Sequence, residues 1–123
     1  MSTAASALIV DDSASMRMVV NTILKEAGYS VTEALDGLDG LSKAKHSRFD
    51  VVITDINMPG IHGIEFIRKL RDMPDYSHTP ILTLTTENTD KMKTEGKSAG
   101  ATGWIVKPFS PEKLLAALKR LLN

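Results

Sequence analysis

Asp55 closes the run Val51-Val52-Ile53-Thr54 and is followed at once by the turn residues Asn57, Pro59 and Gly60. A short apolar run rich in β-branched residues suits a strand covered on both faces of a parallel sheet. In an open α/β sheet, ligands and chemistry gather at the carboxyl ends of such strands. Taken alone, Asp55 could equally serve to cap the following turn. A second run, Ala7-Leu8-Ile9-Val10, ends in Asp11-Asp12. Two neighbouring acids are costly there, because like charges about 4 Å apart repel by about 4 kcal/mol at an effective dielectric of about 20. Ser13 could cap the next helix without that added charge. If the two strands are neighbours, three carboxylates converge, and a set of hard oxygen donors without His or Cys best suits Mg²⁺.

Two further strand ends carry Thr85 and Lys107. Each has an ordinary explanation by itself, the one as a β-branched strand residue and the other as an exposed loop lysine. Together the five residues comprise a carboxylate nucleophile, a metal-holding pair, a hydroxyl and a cation. Three carboxylates would balance a divalent ion plus one ammonium. Phosphoryl transfer depends mainly on such positioning and charge neutralisation.

The elements that must position these groups are legible along the chain. Its 123 residues suffice for one domain, read here as spanning 1–123, with an ordinary balance of 42% hydrophobic and 24% charged residues. A formal net charge of +0 offers no broad basic field for nucleic acid or an anionic membrane. There is no cysteine, which excludes disulfide scaffolds and thiolate catalysis and fits a reducing cytosol. Met1–Ser6 leads into the first strand without the features of a signal peptide, and no run reaches membrane-spanning length. Met16, Val19, Val20, Ile23, Leu24 and Ala27 recur at helical spacing, with Gly28 as a C-cap. Tyr29–Ala34 reads as an edge strand, Gly37–Ala44 as a short helix, Phe49–Asp55 as a strand, and Ile64–Leu70 as a helix closed by Met73-Pro74. Pro80–Thr85 is a strand, Thr89–Ser98 a poorly patterned helix with Met92 its only large apolar residue, and Gly103–Val106 a fifth strand. Ser110-Pro111 then caps a leucine-striped final helix. Five β–α units in so short a chain predict an α/β, doubly wound parallel sheet with five helices.

Four ordered segments, VDDS at Val10–Ser13, TDINMPGIHG at Thr54–Gly63, LTT at Leu84–Thr86 and GATGWIVKPF at Gly100–Phe109, resemble the receiver domain of two-component response regulators. The resemblance covers essentially the whole chain, with no output domain, and is nearest the single-domain CheY type used in chemotaxis. It implies the flavodoxin-like strand order 2-1-3-4-5, an order known for that type rather than read from this chain. It further implies that Asp55 is the phospho-acceptor, served by a CheA-like sensor histidine kinase or a small donor such as acetyl phosphate. Mg²⁺ would be held by Asp12, Asp55 and the backbone carbonyl of Asn57, with Asp11 acting mostly through water. Lys107 would pair with the carboxylate and then with a phosphoryl oxygen, ahead of a cis peptide at Pro108. Thr85 would move to bond the phosphoryl group, and Trp104 would turn inward and remodel the surface of the fourth helix, fifth strand and last helix.

The same resemblance implies a cytoplasmic, monomeric signalling protein rather than a turnover enzyme. Its partners would be the kinase, a downstream target such as the flagellar motor switch protein, and a phosphatase. A relay intermediate or a stress regulator with a non-flagellar target is the alternative within the family. Some residues depart from the pattern: Trp104 replaces the commoner Tyr, Thr86 stands where Ala or Gly is frequent, and His62 stands where Asp is usual. His62 reads as a surface loop feature, and His46 and His78 as exposed. Asn57 and Glu87 match chemotaxis regulators and would influence hydrolysis of the acyl phosphate. A haloacid-dehalogenase-type phosphatase would want an Asp where Asn57 stands. A flavodoxin-like FMN module would want a Ser/Thr/Gly-rich loop where Asp11-Asp12 stand, and no GxxxxGK[ST] occurs for a P-loop NTPase.

Overall fold

Parallel strands all deliver their carboxyl ends to one edge, so the sheet decides whether distant acids can meet. The computed structural model describes residues 5–122; the reading of the first residues as a plain lead-in therefore lies largely outside them. Five strands, β1 (Ser6–Val10), β2 (Ser30–Ala34), β3 (Val51–Thr54), β4 (Ile81–Thr85) and β5 (Gly103–Val106), form one parallel sheet in the order β2-β1-β3-β4-β5. Five helices alternate with them: α1 (Ala14–Glu26), α2 (Gly37–His46), α3 (Gly63–Arg71), α4 (Asp90–Ala99) and α5 (Pro111–Leu122). This is the flavodoxin-like, doubly wound architecture.

Successive strand side chains point to opposite faces, and the core divides accordingly. Leu8, Val10, Val52 and Ile81 pack with Ile64, Phe66, Ile67 and Leu70 of α3 on one face. Ala7, Ile9, Val51, Ile53, Leu82, Leu84 and Ile105 pack with Val20 and Leu24 of α1 and Leu114 and Leu118 of α5 on the other. Strands buried on both faces read as near-continuous apolar runs, as β1 and β3 do, while β4 is buried throughout with Thr83 and Thr85 among its apolar residues.

The strands are shorter than the sequence suggests. β3 begins at Val51, not Phe49, and stops at Thr54, so Asp55 lies just past the ladder, its N–H donating to Val10 O at 3.0 Å. β4 starts after Pro80, which has no N–H to donate. Helix α1 is capped one residue earlier than expected: it ends at Glu26, Ala27 is the cap, and Gly28 follows with φ +97°, the left-handed conformation that favours glycine. Ser13 caps α1 through Met16 N–H at 3.2 Å, as expected. A single 3-10 turn, Pro74–Tyr76, was not foreseen; it buries the Tyr76 ring and lets its hydroxyl donate toward Ala44 O and Ser47 O at 2.9 and 2.7 Å.

Candidate functional site

Register brings the acids together. Val10 pairs with Thr54, so the residues that follow, Asp11 and Asp55, emerge side by side from β1 and β3. Asp11, Asp12 and Asp55 each offer a carboxylate oxygen, all within 4.8 Å of one another. Asp11 and Asp55 are buried and Asp12 is exposed. From the far side of β4, Lys107 N–H donates to Thr85 O at 2.8 Å. Its side chain is 12% exposed, and its ammonium bridges Asp11 Oδ2 at 3.1 Å and Asp55 Oδ2 at 3.2 Å. The other oxygens of both acids are held by backbone: Asp11 Oδ1 accepts Ser13 N–H at 2.9 Å, and Asp55 Oδ1 accepts Ile56 N–H at 2.6 Å. Each carboxylate is thus fixed in rotation by one amide and one ammonium. The Lys107–Pro108 peptide is cis.

Close approach behind Asp55 explains a glycine. A Cβ on Gly63 would overlap the Asp55 carbonyl and sit 2.5 Å from Ile56 Cα, while Gly63 N–H donates to Ile56 O at 2.8 Å. Helix α3 therefore starts directly against the loop carrying the acid. Its N-cap is His62, whose Nδ1 accepts Ile64 N–H at 3.3 Å. The sequence placed His62 in a surface loop; its capping role has no signal beyond a polar residue just before a helix. His46 and His78 are exposed, as expected.

Glu87 ties the remaining pieces. Its side chain accepts Asn57 Nδ2 at 2.8 Å, its N–H donates to the Thr85 hydroxyl at 3.3 Å, and its carbonyl accepts Trp104 Nε1 at 3.0 Å. Thr85 is buried and Thr86 exposed. Trp104 is half-buried, its ring lying against Gly96 of α4, where a Cβ would overlap it. Arg17 is the residue the sequence reading passed over. It lies on the same α1 face as Val20 and Leu24 and is buried with them. Its Nη1 donates to Asp11 O at 2.6 Å and its Nε to Glu33 Oε1 at 3.1 Å. An arginine three residues before a buried valine was the available sign.

The donor set is oxygen only, and three carboxylates against one ammonium leave two formal negative charges, the complement of one divalent cation. These residues fit Mg²⁺.

A parallel sheet of this order with acids, Lys107 and Thr85 on its carboxyl edge defines the class: the chain belongs to the response regulator receiver domain family, whose description it matches over residues 7–119. Within that family its relatives include chemotaxis proteins. It is 40% identical to chemotaxis protein CheY-3 of Vibrio cholerae, over 94% of this chain and 90% of that protein. Against chemotaxis protein CheY of Pseudomonas aeruginosa the identity is 36%, over 94% of each chain. The solved structure of V. cholerae chemotaxis protein CheY4 superposes with a TM-score of 0.95 at 52% identity, covering 98% of this chain and all (100%) of that one. The chain is accordingly a CheY-type receiver. No helix among the described residues is long and apolar enough to cross a membrane.

Proposed function

We propose that this chain is a phospho-accepting response regulator in which Asp55 takes a phosphoryl group from a sensor histidine kinase and so switches the α4–β5–α5 surface for a chemotaxis partner. The observation that carries this reading is the Lys107 ammonium shared between Asp11 and Asp55, 96 and 52 residues away along the chain. Such a bridge makes sense for groups that must meet an incoming dianion.

In the transfer, a carboxylate oxygen of Asp55 attacks phosphorus of the donor's phosphohistidine. The P–N bond breaks, the departing imidazole nitrogen keeps the electron pair and takes up a proton, and an acyl phosphate remains on Asp55. Lys107 is placed to neutralise a phosphoryl oxygen. The residues that would hold Mg²⁺ are Asp12, Asp55 and the Asn57 carbonyl, with Asp11 acting mostly through water. When bound, the ion supplies charge neutralisation to the carboxylates and phosphoryl oxygens. Asn57 provides no second acid to activate water, so the acyl phosphate serves as a signal and the chain as an acceptor rather than a turnover enzyme.

Switching would begin at Thr85, whose hydroxyl accepts the Glu87 N–H and keeps its own proton to donate to a phosphoryl oxygen. Glu87 links Thr85, through its N–H, to Trp104, through its carbonyl, so a shift of Thr85 toward the phosphoryl group would be felt at the aromatic residue and the surface beside it. Moving such an equilibrium from 1:99 to 99:1 takes about 5.5 kcal/mol. Charge-assisted bonds of about 1.5–3 kcal/mol each suffice. The groove between β5 and α5, lined by Trp104, Ala117 and Leu121 and edged by Lys113 and Arg120, is a suitable partner face. The setting is a monomer in the cytoplasm, with a CheA-like kinase, the flagellar motor switch protein as target, and a phosphatase.

Labelling with acetyl phosphate tests the acceptor role. We expect an acid-stable, base- and hydroxylamine-labile label that Asp55→Asn abolishes; undiminished labelling of that variant overturns the assignment. A motor switch peptide should bind more tightly with phosphodonor present, and indifference would favour a relay or stress-pathway target instead.

A further inference from the structure

We infer that Arg17 is a positioning residue for the divalent-cation site, acting through the peptide that joins Asp11 to Asp12. The inference rests on the reading of the acid cluster as a Mg²⁺ site. Adjacent carboxylates repel, and the backbone torsions on either side of the peptide plane between them set whether both side chains face one site. The carbonyl in that plane is Asp11 O, and Arg17 Nη1 donates to it at 2.6 Å inside the protein. Flipping the plane would break a charge-assisted bond and strand a buried guanidinium donor.

The clamp is itself anchored. Arg17 Nε is held by Glu33 Oε1 at 3.1 Å, and Glu33 Oε2 accepts Asn21 Nδ2 at 2.5 Å. The Glu33 backbone carbonyl, on β2, in turn accepts Lys43 Nζ from α2. The Asp11–Asp12 corner is therefore fixed from α1 and β2, on the side opposite Lys107. Arginine is suited to this task because its planar fork addresses carbonyl and carboxylate together, which a lysine ammonium cannot do with the same geometry.

Charge alone argues the other way. A cation beside a cation site weakens it, so if Arg17 acted only through its charge, removing it would tighten Mg²⁺ binding. If it acts by holding the corner, removal weakens binding. The two accounts differ in sign.

The experiment is calorimetric titration of the full chain with MgCl₂, for wild type, Arg17→Met and Arg17→Lys, each checked for folding by circular dichroism. We expect Arg17→Met to raise the Mg²⁺ Kd about tenfold, the scale of one lost charge-assisted bond. Arg17→Lys, with charge kept and fork lost, should fall several-fold short of wild type. Unchanged or tighter binding by folded Arg17→Met overturns the inference. Should that variant fail to fold, Arg17→Lys decides alone: wild-type affinity overturns the positioning role, and a several-fold loss supports it. A wild-type chain that binds no Mg²⁺ at millimolar concentration would instead overturn the metal reading under Proposed function.

Discussion

Replacing Gly96 with alanine should destabilise the protein, although the same change in most exposed helices stabilises it. Gly96 is a buried interior position of α4, and alanine there gains about 1 kcal/mol of helix propensity over glycine. Against this stands the Trp104 ring, whose Cζ3 atom would overlap an added Cβ and whose Cε3 atom would lie 3.1 Å from it. The indole cannot yield freely, because its Nε1 is tied to Glu87 O at 3.0 Å. Overpacking of this kind costs about 1–3 kcal/mol, and losing the indole hydrogen bond costs about 1 kcal/mol more. The net is about 2 kcal/mol of destabilisation, or about 8 °C in Tm for a chain this size. Urea unfolding followed by circular dichroism measures it, and emission from Trp104, the only tryptophan, reports the displaced ring. In a Trp104→Ala background the same glycine-to-alanine change should become neutral or stabilising, a reversal of sign that isolates the contact. Stabilisation of the wild-type background by about 1 kcal/mol with unaltered emission would refute the reasoning.

Arg71→Met should cost about 3 kcal/mol in urea unfolding, because the Arg71 guanidinium donates to the carbonyls of Tyr76, Thr79 and Gly100 and to the Thr102 hydroxyl. Arg71→Lys should recover only part of that; full recovery would mean charge rather than the fork matters. Asp39 has its carboxyl held below the ordinary carboxylate range, chiefly by the Leu35 N–H, which outweighs the opposing effect of burial, with Lys43 and then Arg17 lowering it further. A depressed folded-state value means stability present above the unfolded pKa and lost as pH falls through the lower folded one. Asp39→Asn should therefore be less stable than wild type at pH 7, by about 0.5 kcal/mol or less given its exposure to solvent. The gap should close below pH of about 4, as chemical unfolding across that range will show; a gap that persists in acid would contradict the assigned cause.

The fold was readable where both faces of a strand are covered, since β1, β3 and β4 are then mostly apolar or β-branched, and an acid after such a run stands out. Asp11, Asp12 and Asp55 stand out for that reason, and Lys107 by its place directly after β5. Other features depend on contacts with no local trace. Helix α4 looks poorly patterned because it meets the sheet partly through the missing side chain of Gly96 and borrows its apolar surface from Trp104. In α1 the helical spacing counted Val19 with the buried stripe, yet it is 48% exposed, and Arg17 occupies the covered side instead. Tyr76 sits in a stretch dominated by turn residues, so nothing nearby marks it as core. His62 caps α3 in a place where an acid would have been easier to recognise.

The ties made by Arg71 and by the Tyr76 hydroxyl, like that of Asp50 to the Ser6 N–H at 2.8 Å, all lie where the strands begin, whereas the acids lie where they end. Sturdiness and signalling are thus assigned to opposite rims of one sheet, about a strand's length apart. A lineage can retune its heat tolerance on the first rim while leaving the acid cluster on the second untouched. A protein engineer wanting a hardier version would do well to work from the same side.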